Sequence, residues 1–82
     1  MPTYMDHHPT TPMPPEMGKA IVEKIKAGKP DEHGTVALNV IVGQEETWCL
    51  ATAPNADAVH KGHEAIGINL GAGDIVEVQT LA

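Results

Sequence analysis

Histidine is the residue type whose number and spacing in this chain indicate chemistry. Five histidines occur among 82 residues that include no arginine, serine or phenylalanine. His7 and His8 are adjacent, His60 and His63 are three positions apart, and His33 stands alone. Neutral imidazole is a common protein ligand of zinc, copper and nickel. The histidines therefore favour binding of a divalent transition metal, and ligand-free surface histidines are the competing interpretation.

The pair His60 and His63 lies on a predicted helix. Residues three positions apart share one helix face, with Cβ atoms about 5–6 Å apart. Two imidazoles at that distance can share one ion, and Glu64 can add a carboxylate oxygen or support a ligand from outside. An exposed helix face that happens to hold two histidines is the alternative.

The adjacent pair lies on a predicted strand, where consecutive side chains point to opposite faces. His8 shares its face with Asp6, so these two are the better chelate, and His7 serves another site or none. His33 follows two acidic residues at the start of the second predicted strand. It is a further candidate ligand, with a polar loop as the alternative.

Cys49 is the only cysteine, which excludes an intramolecular disulfide and any CxxC motif. If Thr52 faces the open side of the sheet, Cys49 faces the helices, where it is expected to be a small buried hydrophobic residue. The chain has no serine, and its cysteine has no nearby base in sequence. We therefore expect a binding protein, not an enzyme.

Composition restricts the partners. The formal net charge is −6 and arginine is absent, so nucleic-acid binding is not expected. No apolar run approaches the roughly 20 residues that span a bilayer, and the N-terminus does not resemble a signal peptide. These patterns predict a cytoplasmic protein without a membrane partner, folded as a single domain over residues 1–82.

Periodicity and turn residues predict the order β-α-β-β-α-β. This is the ferredoxin-like α+β arrangement, an antiparallel sheet with both helices on one face. The predicted strands cover residues 2–8, 33–42, 47–53 and 75–81, and the predicted helices run from Pro14 or Pro15 to Gly28 and over residues 56–66. Met17, Ile21 and Ile25 form the apolar face of the first helix.

The open face of this sheet is expected to be buried in a homodimer, because apolar side chains would otherwise meet water. The residues expected there are Ile41, Trp48, Leu50 and Ile75. The same face suggests an alternative function, a small dimeric enzyme of the cofactor-free monooxygenase or isomerase type. Its pocket would be lined by Tyr4, His8, His33 and Trp48.

Three segments carry a family resemblance: WCLATAPNADAV at residues 48–59, HEAIG at 63–67 and DIVEV at 74–78. Together they resemble a family of small bacterial ferredoxin-like proteins, once known only as a domain of unknown function and now associated with nickel. The clear resemblance covers residues 46–79 and includes His63 alone among the histidines. It implies a dimer that binds Ni²⁺ for metal sequestration or homeostasis, whereas the donor chemistry alone also allows Cu²⁺ and Zn²⁺.

Overall fold

Two helices and four strands make up the described part of the protein. The structure is a computed structural model that describes residues 1–71 and 73–81. The elements in chain order are β1 (Thr3–Pro9), α1 (Pro15–Ala27), β2 (Val36–Val42), β3 (Glu46–Thr52), α2 (Ala56–Glu64) and β4 (Ile75–Val78). The α+β class, with one antiparallel sheet and two helices, is confirmed.

The strands lie in the order β2-β3-β1-β4, and each neighbouring pair is antiparallel. β1 and β3 therefore form the centre of the sheet. Each helical connection crosses one intervening strand, so β1 runs parallel to β2 and β3 runs parallel to β4. This connectivity is consistent with the predicted ferredoxin-like arrangement.

Element ends differ from the predicted ones for local reasons. β2 begins at Val36, not His33, because the Asp31 carboxylate accepts hydrogen bonds from the backbone N–H groups of His33 (2.8 Å) and Thr35 (3.0 Å) and holds a turn there. α2 ends at Glu64 and its chain reverses at Gly67, whose φ of 83° is left-handed. β4 ends at Val78, which pairs with the first residue of β1.

The buried core is small and lies between α2 and the sheet. It contains Tyr4, Ala53, Ala58, Val59 and Leu70, with Ile68 and Ile75 packed against it. The expectation that Ile75 lies on the open face is therefore wrong. Ile75 pairs with Asp6 across β1 and β4, and both side chains face the helices.

α1 lies over the sheet next to β2. None of its residues is buried, and Met17, expected in its apolar face, is 52% exposed. A cavity of about 190 Å³ occupies the space between α1 and the sheet. Met17 of α1, Cys49 of β3 and His63 of α2 all line this cavity, so both helices lie on the same face of the sheet.

The opposite face of the sheet carries apolar side chains that are open to water. Ile41 and Val76 are more than half exposed, and Trp48 is 38% exposed. Trp48 lies beside Ile41 of β2 and His7 of β1, and Val76 lies beside Met5.

Candidate metal centre

Four potential metal ligands meet where α2 crosses the two central strands. Strand alternation turns Asp6 and His8 of β1 toward the helices, and Asp6 pairs directly with Cys49 of β3. α2 brings His63 over the same point. One ligand atom from each of the four residues lies within 4.8 Å of all the others. We call Asp6, His8, Cys49 and His63 the four-ligand cluster.

Asp6 is the least ordinary member of the cluster. It is only 1% exposed, and neither carboxylate oxygen accepts a hydrogen bond within residues 1–71 and 73–81. Nε2 of His63 approaches Oδ1 at 3.2 Å, which is close enough for an ion pair but is not aligned as a hydrogen bond. A buried carboxylate is costly unless it is paired and hydrogen-bonded or coordinates a metal. A cation bound next to the Asp6 carboxylate would therefore be stabilising.

Both histidines of the cluster are oriented from behind by backbone carbonyls. Nδ1 of His63 lies 2.9 Å from the carbonyl oxygen of Val59, and Nδ1 of His8 lies 3.0 Å from that of Pro9. A carbonyl oxygen only accepts, so each Nδ1 carries the proton and donates it. Nε2 of each ring is then the atom that can offer a lone pair to a metal, and Nε2 of His8 is 3.8 Å from Sγ of Cys49. Metal-bound histidines are typically fixed in this way.

The four-ligand cluster holds a proton tightly. Burial by itself lowers the pKa of His63, because the charged ring loses hydration. The interactions with Asp6, with Cys49 and with the Val59 carbonyl outweigh burial and raise the pKa from 6.5 to about 10. The apo protein at neutral pH therefore has an imidazolium beside the Asp6 carboxylate.

The donor set fits a transition metal. Thiolate sulfur, imidazole nitrogen and carboxylate oxygen all bind Zn²⁺ at about 2.0–2.3 Å, which places tetrahedral ligands about 3.3–3.8 Å apart. The cluster atoms lie within 4.8 Å of one another, so the most widely separated of them need to approach by at most about 1 Å to reach that spacing. The ligands come from three different elements, so rotamer changes and a small movement of α2 can supply the contraction. The cluster can bind a metal.

The other predicted ligands lie apart from the cluster. His7 is on the open face, where its two ring nitrogens are each 3.4 Å from a carboxylate, that of Glu46 and that of Asp74. His33 lies 3.5 Å from Glu32, and His60 lies 3.9 Å from Glu64 along α2. Within the part of the chain that is described, no second group of three such residues is placed so that one ligand atom from each could hold the same ion. His60 and His63, expected to share an ion, diverge because His63 points into the sheet.

Cys49 is the ligand that the sequence analysis did not include. It faces the helices, as expected from the alternation along β3, but it is only partly buried, and its Sγ lies 3.8 Å from Nε2 of His8. The missing information was the β1–β3 register, which sets Cys49 opposite Asp6. The alternation along β3 put Cys49 on the helix side, but it could not show that Asp6 and His8 of β1 lie on that side as well.

The pocket predicted for the alternative enzyme function does not form from the residues that were expected to line it. Tyr4 and His8 face the helices and are buried, whereas Trp48 lies on the open face. Three of the four residues expected to line one pocket are thus divided between the two sides of the sheet, and His33 lies in the turn before β2.

Comparisons with protein-family models, with curated proteins and with solved structures each find no match. Neither of the two described helices has the length and apolar character that crossing a membrane requires. The family resemblance stays a prediction, and the functional argument rests on the geometry of the four-ligand cluster.

Proposed function

We propose that the protein binds a divalent transition metal through Asp6, His8, Cys49 and His63. The observation that supports this most directly is the buried Asp6 carboxylate, which accepts no hydrogen bond within the described residues and lies 3.2 Å from Nε2 of His63. A bound cation would neutralise the carboxylate and the Cys49 thiolate together. The proton on His63 would leave as the metal enters, because a ligand must offer its lone pair.

The proposed metal is nickel, on the strength of the family resemblance. The donor set does not select nickel by itself: mixed sulfur, nitrogen and oxygen ligands also suit Zn²⁺, and affinity along the Irving–Williams series is highest for Cu²⁺. Titration of the apo protein with the three ions decides among them. Because the Irving–Williams series already predicts the tightest binding for Cu²⁺, the three affinities have to be compared with that series. Nickel specificity requires that the affinity for Ni²⁺, relative to Cu²⁺ and Zn²⁺, is higher than the series predicts.

The proposed role is sequestration or homeostasis of the metal in the cytoplasm, not catalysis. Four protein ligands satisfy a tetrahedral ion without an added water, which is typical of sites that hold a metal instead of activating a substrate. A metalloenzyme would keep an open position with a general base near it.

The test is metal stoichiometry measured by mass spectrometry and calorimetry on the wild type and on single alanine variants. Cys49→Ala and His63→Ala should each weaken binding by about 10- to 100-fold or more, since loss of outer-sphere groups alone has that effect. His7→Ala and His60→Ala are matched controls, being histidines with a carboxylate neighbour outside the cluster, and should bind normally.

Thiolate coordination gives a second readout. The Ni²⁺ or Co²⁺ protein should show a sulfur-to-metal charge-transfer band that Cys49→Ser removes. Full stoichiometry in His63→Ala, or loss of binding in His60→Ala, would contradict the assignment.

We further propose a ferredoxin-like homodimer joined through the open sheet faces. Ile41, Trp48 and Val76 leave an apolar surface there, and Leu50 and Met5 lie between them. Burial of this surface would favour association by the hydrophobic effect. Light scattering at micromolar concentration tests the dimer: Trp48→Lys should give a monomer, and a monomeric wild type would reject it.

A further inference from the structure

Small side chains create the cavity of about 190 Å³ between α1 and the sheet. Ala37 of β2, Ala51 of β3 and Gly62 of α2 all line it. The chain has one tyrosine, one tryptophan and no phenylalanine. Tyr4 packs in the core and Trp48 lies on the open face, so neither of them fills this space.

The apolar face of α1 borders the same cavity. Met17 and Ile21 line it, yet no residue of α1 is buried. An amphipathic helix is normally stabilised by burying its apolar stripe against a partner. An apolar molecule in the cavity would cover this helix face and the sheet beneath it together, and removal of both surfaces from water is favourable.

We propose that this cavity is a binding site for one neutral, single-ring aromatic molecule. The site is separate in function from the four-ligand cluster, because the ring needs no coordination position on an ion. Its volume selects the size of the ligand: about 190 Å³ slightly exceeds the roughly 150 Å³ cavity that accepts benzene, so one ring with two small substituents fits.

Sulfur in the wall favours an aromatic ring over a saturated one. Met13, in the loop before α1, and Met17 both line the cavity, and both are exposed. Methionine side chains are flexible and adapt to the shape of a ligand, and thioether sulfur makes favourable contacts with aromatic rings.

The polar groups in the wall favour a neutral ligand, because most of them already have partners. Oγ1 of Thr47 is 2.9 Å from a second threonine hydroxyl, and Oδ1 of Asp31 accepts two backbone hydrogen bonds. Nδ1 of His8 and Nδ1 of His63 each meet a backbone carbonyl. Lys24 is at an exposed position where water solvates its ammonium group. A charged ligand would lose its hydration in mostly apolar surroundings, which is unfavourable.

Three probes of similar size separate these requirements. The first, p-xylene, is a neutral aromatic ring; 4-methylbenzoate replaces one methyl group by a carboxylate; and 1,4-dimethylcyclohexane is a saturated ring. Each is titrated into the full chain in the presence of a chelator, and the methyl resonances of Met13 and Met17 are followed by NMR. We expect saturable one-to-one binding of p-xylene, with the carboxylate at least about tenfold weaker and the saturated ring about twofold weaker or more.

A variant of the cavity wall shows where the probe binds. Ala37→Phe places a ring in the cavity and should weaken p-xylene by at least about tenfold. Ala20→Phe, at an exposed position of α1 that does not line the cavity, is the matched control and should bind like the wild type. If Ala37→Phe does not fold, nuclear Overhauser effects in the wild type locate the ring, which should contact the methyl groups of Met13 and Met17.

Several results would overturn this site. They are the absence of saturable p-xylene binding, equal binding by Ala37→Phe, and Overhauser contacts to Trp48 on the open face instead of the two methionines. Binding of 4-methylbenzoate as tight as that of p-xylene would reject a neutral ligand. Because the titrations contain a chelator, their failure leaves the metal site standing, and a failure of metal stoichiometry leaves this site standing.

Discussion

Replacement of Asp6 by asparagine should remove a pH dependence of folding stability that the four-ligand cluster creates in the apo protein. The folded pKa of His63, about 10, lies above its ordinary value of 6.5. The stabilisation from this group is therefore fully present below pH 6.5 and is lost as the pH rises through about 10. The side chain of His63 is 16% exposed, so water screens the interaction only weakly.

The magnitude follows from the pKa difference. Each pKa unit corresponds to about 1.4 kcal/mol, so the span from 6.5 to 10 gives an upper limit of about 5 kcal/mol. Between these pH values, the free energy of unfolding should fall by up to about 1.4 kcal/mol per pH unit. Asp6→Asn removes the largest interaction that raises this pKa, so most of the slope should disappear.

The free energies of unfolding of the wild type and of Asp6→Asn, plotted against pH, should also cross. At neutral pH the variant loses the ion pair with His63 and should be less stable than the wild type. Above pH 10 the wild type retains a buried carboxylate with no cation beside it, which the isosteric amide avoids, so the variant should be at least as stable. The difference between the proteins is informative because other groups that titrate at high pH are common to both.

Urea unfolding followed by Trp48 fluorescence, in the presence of a chelator, measures this effect from pH 6 to 11. Glu46→Gln is the matched control, because Glu46 contacts His7 at 3.4 Å on the exposed face and should leave the profile unchanged. A wild-type profile that is flat from pH 6.5 to 10, or a variant that keeps the full slope, would refute the coupling of Asp6 to His63.

Three further predictions address the stabilisation by bound metal, the proton that competes with the metal for His63, and the packing of the core. Metal at 100 times its dissociation constant should raise the free energy of unfolding by about 2.7 kcal/mol, and chelation should reverse the gain in thermal unfolding scans. Metal affinity by calorimetry should keep increasing as the pH rises to about 10, because the proton of His63 must leave; a plateau above pH 6.5 would mean that His63 is not a ligand. Val59→Ala, at a 1%-exposed core position, should lower the free energy of unfolding by about 2 kcal/mol without changing the backbone carbonyl that orients His63; normal metal stoichiometry in this variant checks the distinction.

Sequence patterns predicted the helices and strands well because residues that typically begin or end such elements stand at their boundaries. Pro15 begins α1 and Gly28 ends it in a left-handed conformation, and Asn55 caps α2 through a 2.9 Å hydrogen bond to the N–H of Ala58. Period-two alternation correctly placed Asp6 with His8 and separated them from His7. These features are local, so the sequence contains them.

Which residues form the candidate site depends on how elements that are distant in sequence pack together. The β1–β3 register decides that Asp6 meets Cys49, and the rotation of α2 decides that His63 points toward them while His60 turns to Glu64. Helical spacing alone made His60 and His63 equivalent. Met17 illustrates the same limit: its position on the apolar face of α1 predicted burial, but Met17 borders the cavity between α1 and the sheet and is 52% exposed.

The four-ligand cluster joins parts of the chain that are far apart in sequence. Asp6 lies in the first strand and His63 at the end of the second helix, with most of the chain between them. A metal that binds both acts as a reversible cross-link, and in the unfolded chain such a link would close a long loop at a large entropic cost. The buried core of this protein is small, so the ion would add a removable link that joins β1, β3 and α2.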